Sequence, residues 1–243
     1  MKNALKLVGI AAALSVLVLG GCAASRIGTA AQLARESESF QHNPPNASMR
    51  LLIVGDSTGV GTGASVPQNS LAGLLVQAFP QLAIQNIAQD GATFEGVVQQ
   101  LQRDTARFDV VLIQAGGNDV IRLRSDEAMR VDIERAVSLA TGRADHVLVM
   151  PAGNVGNAPF FFSPVSGFMS SRAQRMHRYV KATAQQQGAV YISLFKDEVN
   201  DPFAHNPGLH AADGLHPSDA GYRIWFDEIM RQANLPALLA RAR

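Results

Sequence analysis

Apolar positions along this chain gather in short runs, and each run is followed by a longer stretch in which apolar residues recur every three or four positions. The runs predict strands over Leu51–Val54, Leu82–Ile87, Asp109–Gln114, His146–Met150 and Val190–Leu194. The longer stretches predict helices over Ser70–Ala78, Phe94–Arg103, Asp126–Thr141, Ser171–Gln186 and about Ser218 to Ala233. Strands alternating with helices of this length build βαβ units around a parallel sheet. The expected fold is therefore α/β: a three-layer α/β/α sandwich with a flavodoxin-like, doubly wound parallel sheet of about five strands. Ligands of such sheets bind outside the carboxyl ends of the strands.

The pattern changes before residue 49. Lys2 and Lys6 precede Leu7 to Leu19, a stretch with no charged residue. Its length suits the apolar core of a secretory signal and falls short of a bilayer span. It ends in Leu19-Gly20-Gly21-Cys22, which resembles the bacterial lipobox. That resemblance implies cleavage before Cys22 and lipid attached to it. Ala23, standing where an Asp would retain such a protein at the inner membrane, implies the outer membrane, facing the periplasm. The expected organisation is a signal peptide over 1–21, a polar, Pro-containing tether over 22–48 and one domain over 49–243. Cys22 is the only cysteine, so no internal disulfide is expected.

Composition narrows the partners. Of 243 residues, 47% are apolar and 17% charged, which describes a globular chain with a large core. A formal net charge of +1 argues against general affinity for nucleic acid.

The predicted strand ends carry Gly55-Asp56-Ser57, then Gln89-Asp90-Gly91, then Gly116-Gly117-Asn118-Asp119, and, after the fifth strand and a long loop, Asp213-Gly214-Leu215-His216-Pro217. These are the residue types that acyl transfer needs. A serine is a weak nucleophile until a base takes its proton. His216 suits that role, and Asp213, three residues earlier in a turn, can hold the correct imidazole tautomer. Pro217 biases His216 to an extended backbone, which projects its ring from the loop. Candidate donors to a developing oxyanion are the N–H groups of Ser57 and Gly91 and the side-chain amide of Asn118. Asp56 reads as a turn-former bonding local backbone.

Together the four blocks resemble the SGNH (GDSL-type) hydrolases over about residues 50–235, with Thr58 where the longer GDSL pattern often has Leu or Ile. The resemblance implies an esterase with Ser57 as nucleophile, His216 as general base, Asp213 as its orienting partner, and Ser57, Gly91 and Asn118 as the oxyanion hole. It implies no cofactor and no metal, and a small-molecule, lipid or glycan ester as substrate. The same site can serve an acyltransferase or a polysaccharide O-deacetylase, and a non-catalytic ligand-binding lipoprotein of the envelope is the reading from a different class.

Gly59-x-Gly61-x-x-Ala64 matches a dinucleotide fingerprint formally, but Gly55-Asp56-Ser57-Thr58 intervenes between it and the strand. The three glycines Gly59, Gly61 and Gly63 are expected to let a flexible loop cross near the substrate. His205 and His210 lack a ligand framework for zinc. Phe160, Phe161 and Phe162, in a Pro/Gly-rich loop after the fourth strand, are expected either to pack internally or to form a lid or acyl-chain wall.

Overall fold

A computed structural model describes residues 24–103 and 105–240; the expected leader and Cys22 lie outside the described residues. Its centre is a five-stranded sheet: β1 (Met49–Gly55), β2 (Leu82–Asn86), β3 (Phe108–Gln114), β4 (Ala144–Val149) and β5 (Val190–Tyr191), in the order β2-β1-β3-β4-β5. Every pairing is parallel, with Ile53 of β1 opposite Asn86 on one side and Leu112 on the other. The helical segments are α1 (residues 24–36), α2 (Ser57–Val60), α3 (Leu71–Ala78), α4 (Phe94–Gln102), α5 (Gly117–Ile121), α6 (Asp126–Thr141), α7 (Val165–Gln187), α8 (Pro202–His205), α9 (Asp219–Gln232) and α10 (Leu235–Ala240).

The strands read as unbroken apolar runs because both faces of the sheet are covered. Leu52, Val54, Val111, Ile113, Val147 and Val149 point to the layer of α4, α6 and α7, where they meet Val97, Leu101, Ile133 and Val180. Their neighbours Leu51, Ile53, Val110, Leu112 and Leu148 point to the layer of α3 and α9, against Leu71, Leu75, Tyr222 and Ile229. Each such side chain contributes about 1.5–3 kcal/mol by leaving water. Serines open three of the helices: the Oγ atoms of Ser70, Ser125 and Ser218 accept from the N–H groups of Gly73, Ala128 and Gly221.

From β1 the chain goes outward to β2 on one side and then returns to β3 on the other. The ends of β1 and β3 thus flank the point where the winding reverses, and a crevice opens there.

The segment read as a tether is largely folded. After α1, His42 exchanges backbone hydrogen bonds with Ile84, and the Gln41 side chain bonds both the N–H and the C=O of Asn86. The chain therefore straps the outer edge of β2 before entering β1. Helix α7 begins at Val165, earlier than the expected Ser171, so half of the Phe-containing loop is helical. At Gly156 a Cβ would stand 2.3 Å from the carbonyl oxygen of Ser166 and 2.2 Å from Ser170 Oγ. That close backbone contact, which spacing alone does not reveal, packs the first turns of α7.

Candidate active site

Strand β1 delivers Ser57. Gly55 ends the strand with φ +150°, and a Cβ there would meet the carbonyl oxygen of Gln114 at 1.9 Å, so only glycine allows β1 to lie this close to β3. The buried amide of Gln100 holds the backbone of Gly55 from the other side, accepting from its N–H and donating to its C=O, both at 2.8 Å. The Asp56 N–H donates to Gln114 O at 2.8 Å. Asp56 Oδ1 accepts from the N–H and hydroxyl of Thr58, which caps α2 and makes Ser57 its first residue. Asp56 is thus the local turn-former expected. Burial raises its carboxyl to about 6, opposed by the two Thr58 bonds and the nearby His216.

The loop before α9 delivers the other two residues. The N–H groups of Leu215 and His216 donate to Asp213 Oδ1 at 2.9 and 3.0 Å, and His216 Nδ1 stands 2.5 Å from Asp213 Oδ2. On the other side of the ring, Nε2 lies 2.9 Å from Ser57 Oγ. Asp213 is fully buried, while Ser57 and His216 keep 8% and 9% of their surface, at the wall of the cavity. Burial disfavours the Asp213 anion, but the bond to His216, the electrostatic pull of that neighbouring ring and the two N–H groups outweigh it, so the carboxyl lies below its usual range.

The glycine run after Ser57 is not a flexible loop. Gly59 to Thr62 are buried, and a Cβ on Gly63, whose φ is +96°, would stand 2.4 Å from the carbonyl of Pro217 and 3.0 Å from His216 Cβ. Close packing against the histidine loop, rather than mobility, requires glycine here. Thr62 anchors the same stretch, donating through Oγ1 to Asp90 and accepting through its carbonyl from the Tyr222 hydroxyl.

Gly91 and Asn118 line the same cavity as Ser57 and His216. Gly91 has φ +76°, and Asn118 lies in α5, which follows Gly116 in its left-handed conformation. Asn118 and Asp119 diverge. The former borders the cavity; the latter is fully buried and accepts the N–H of Phe94 at 3.0 Å, where Thr93 offers α4 no side-chain cap. Burial pushes Asp119 up to about 7, against the pull of that N–H and of Arg124.

The cavity holds about 440 Å³. Its walls beyond the polar rim include Ile121, Val155, Phe160, Leu194, Phe203, Leu215 and Trp225, with Ile27, Ala30, Ala31 and Ala34 of α1. Of the three consecutive phenylalanines, Phe160 borders the cavity, Phe161 packs against the core, and Phe162 is exposed. His210 lies on the cavity wall with Nε2 bonded to the carbonyl of Phe203. No cluster of three metal-ligating side chains occurs among the described residues. No role in the site was expected of α1 or Trp225, and none of their own of Leu215 and Asp119, which lie within the blocks that carry His216 and Asn118. For α1 a signal existed: Ile27, Ala30, Ala31 and Ala34 follow helical spacing inside the polar segment.

The profile of the GDSL-like lipase/acylhydrolase family matches residues 53–224, from the middle of β1 into α9. The chain belongs to this GDSL-like lipase/acylhydrolase family. It is accordingly a hydrolase, and its parallel five-stranded sheet is the family's α/β/α fold. No curated protein sequence matches it. Among solved structures, LAE5, an alpha/beta hydrolase enzyme from the metagenome of Lake Arreo, Spain, superposes with a TM-score of 0.60 at 18% identity, covering 77% of this chain and 96% of that one. TesA superposes with a TM-score of 0.58 at 21% identity, covering 75% and 97%. A variant of Axe2, an acetyl xylan esterase from Geobacillus stearothermophilus, gives 0.58 at 19% identity, covering 77% and 95%. At these identities the likeness is one of fold, and the superpositions take in almost the whole of each neighbour.

Proposed function

We propose that this GDSL hydrolase cleaves carboxylic esters or thioesters through an acyl-enzyme on Ser57, with His216 as general base and Asp213 as orienting partner. The observation that carries the reading is the relay from Asp213 Oδ2 through the imidazole to Ser57 Oγ, with contacts of 2.5 and 2.9 Å. An ionised carboxylate only accepts, so Nδ1 carries the hydrogen and the Nε2 lone pair faces the Ser57 hydroxyl. In the first step Ser57 Oγ bonds to the ester carbonyl carbon and its proton passes to Nε2. The oxyanion takes hydrogen bonds from the N–H groups of Ser57 and Gly91 and from the Asn118 amide, each donor contributing about 2.7–4 kcal/mol to lowering the barrier. The N–H of Ser57 begins α2 and so has no helical acceptor. Collapse breaks the bond to the alcohol or thiol, which leaves with the proton from Nε2. Water then attacks the acyl-enzyme, gives a proton to Nε2, and the acid departs as Oγ is reprotonated.

The catalytic mutants of the Geobacillus acetylxylan esterase replace a serine, an aspartate and a histidine, the same three residue types. The apolar walls of the cavity favour an ester with an apolar acyl group. We further place the enzyme in the bacterial envelope, anchored by lipid on Cys22 and facing the periplasm from the outer membrane. The test is labelling by a fluorophosphonate alongside turnover of p-nitrophenyl esters. Wild type should show both, and Ser57→Ala neither, with thermal unfolding unchanged. Labelling or turnover that survives in Ser57→Ala overturns the reading.

A further inference from the structure

Helix α1 precedes the family-matched region, which begins at residue 53. The neighbouring structures are covered almost whole while about a quarter of this chain lies outside the superpositions, so the chain carries material beyond the common scaffold. Helix α1, ahead of the matched region, borders the active-site cavity. Ile27, Ala30, Ala31 and Ala34 fall on one stripe of α1, at the spacing that puts side chains on one helix face, and all four line the cavity that holds Ser57 and His216. The helix is tied near its first turn, and the chain that follows it is tied to the sheet. Arg26 donates to the carbonyl of Pro159, beside the cavity residue Phe160. Beyond the other end, His42 is paired with Ile84 on the edge of β2.

We propose that α1 is the outer wall of an acyl-chain site, and that its alanines set how long a chain the enzyme accepts. The inference rests on the proposed acyl-enzyme at Ser57 and names the substrate class: esters of linear acyl chains well longer than acetyl. An acetyl group would leave most of a cavity of about 440 Å³ unfilled. The three alanines of the stripe leave room in the cavity, which larger side chains would take from an acyl tail.

The experiment compares kcat/KM for p-nitrophenyl acetate and p-nitrophenyl octanoate in wild type, Ala34→Phe and the milder Ala30→Leu, a substitution that α1 accepts with little loss of helix propensity. Wild type should prefer octanoate. Ala34→Phe should lose at least tenfold on octanoate and Ala30→Leu several-fold, with acetate within twofold in both. Fluorophosphonate labelling at the wild-type rate shows that each variant keeps its nucleophile and fold. Equal losses on both esters in a labelled variant, or undiminished octanoate turnover in both variants, would overturn the wall. A wild type that turns over neither ester and is not labelled would instead refute the acyl-enzyme itself.

Discussion

At the scale of single residues, two aspartates in this site have opposite electrostatics, and each predicts a pH dependence of its own sign. The Asp213 carboxyl is held below its usual range chiefly because its bonds to His216 and to two backbone N–H groups overcome burial. A carboxyl lowered in this way stabilises the fold above its unfolded-state value, and the contribution disappears as pH falls through the lowered folded value. Asp213→Asn should therefore be less stable than wild type at neutral pH, with the gap closing on acidification in urea titrations. Its turnover should fall on the order of 10³–10⁴-fold, since the amide no longer selects the productive tautomer. Asp119 behaves in reverse. Raised from 3.8 to about 7 by burial, it stabilises the fold fully below the lower value and loses that contribution as pH rises through the upper one. Asp119→Asn retains an oxygen for the Phe94 N–H and escapes the ionisation, so its stability relative to wild type should increase between pH 4 and pH 8. Ser57, Asp213 and His216 were legible in the sequence because each lies in a short local pattern. The part played by Asp119 was not, because it depends on α4 arriving with an uncapped N-terminus from elsewhere in the chain.

At the scale of elements, most boundaries follow from spacing, and the exceptions have local causes. Helix α6 runs over Asp126–Thr141 as its periodicity predicts, with Ser125 as cap. Strand β5 stops at Tyr191, short of the expected Leu194. It is an edge strand paired only with β4, and past Ile192 the backbone of Ser193 is bonded on both its N–H and C=O by the Gln232 side chain instead of a neighbouring strand. The end of β1 is held in a similar way by Gln100. Gln100→Ala leaves the buried N–H of Gly55 without a partner, while its C=O keeps the Gln89 N–H, so urea unfolding should show a loss of roughly 1–3 kcal/mol. Gly55→Ala should yield no folded protein, because its Cβ would overlap the Gln114 carbonyl. A folded Gly55→Ala variant with unchanged circular dichroism would mean that β1 and β3 can separate without loss.

At the scale of the whole molecule, the fold class was legible because five apolar runs and the helical stretches between them admit few arrangements other than a parallel α/β sheet. Helix α1 was harder to see: its helical spacing is there, but Gln32, Arg35 and Glu36 face solvent, its cavity side is mostly alanine and Ile27 is itself 60% exposed, a pattern with little hydrophobic contrast. The placement of α1 two residues beyond Cys22 joins the proposed acyl-chain wall to the proposed lipid anchor. Cys22→Ser should move the protein from the detergent-extracted membrane fraction to the soluble fraction while p-nitrophenyl ester turnover in detergent stays within twofold. Retention in the membrane fraction would argue against lipid on that residue. The central claim is chemical, and one measurement meets it directly. The enzyme is mixed with p-nitrophenyl octanoate, quenched in acid within the first turnovers, digested and weighed by mass spectrometry. The account predicts an octanoyl group on the peptide that contains Ser57; an octanoyl group bound to another residue, or turnover with no acylated peptide at any quench time, would contradict it.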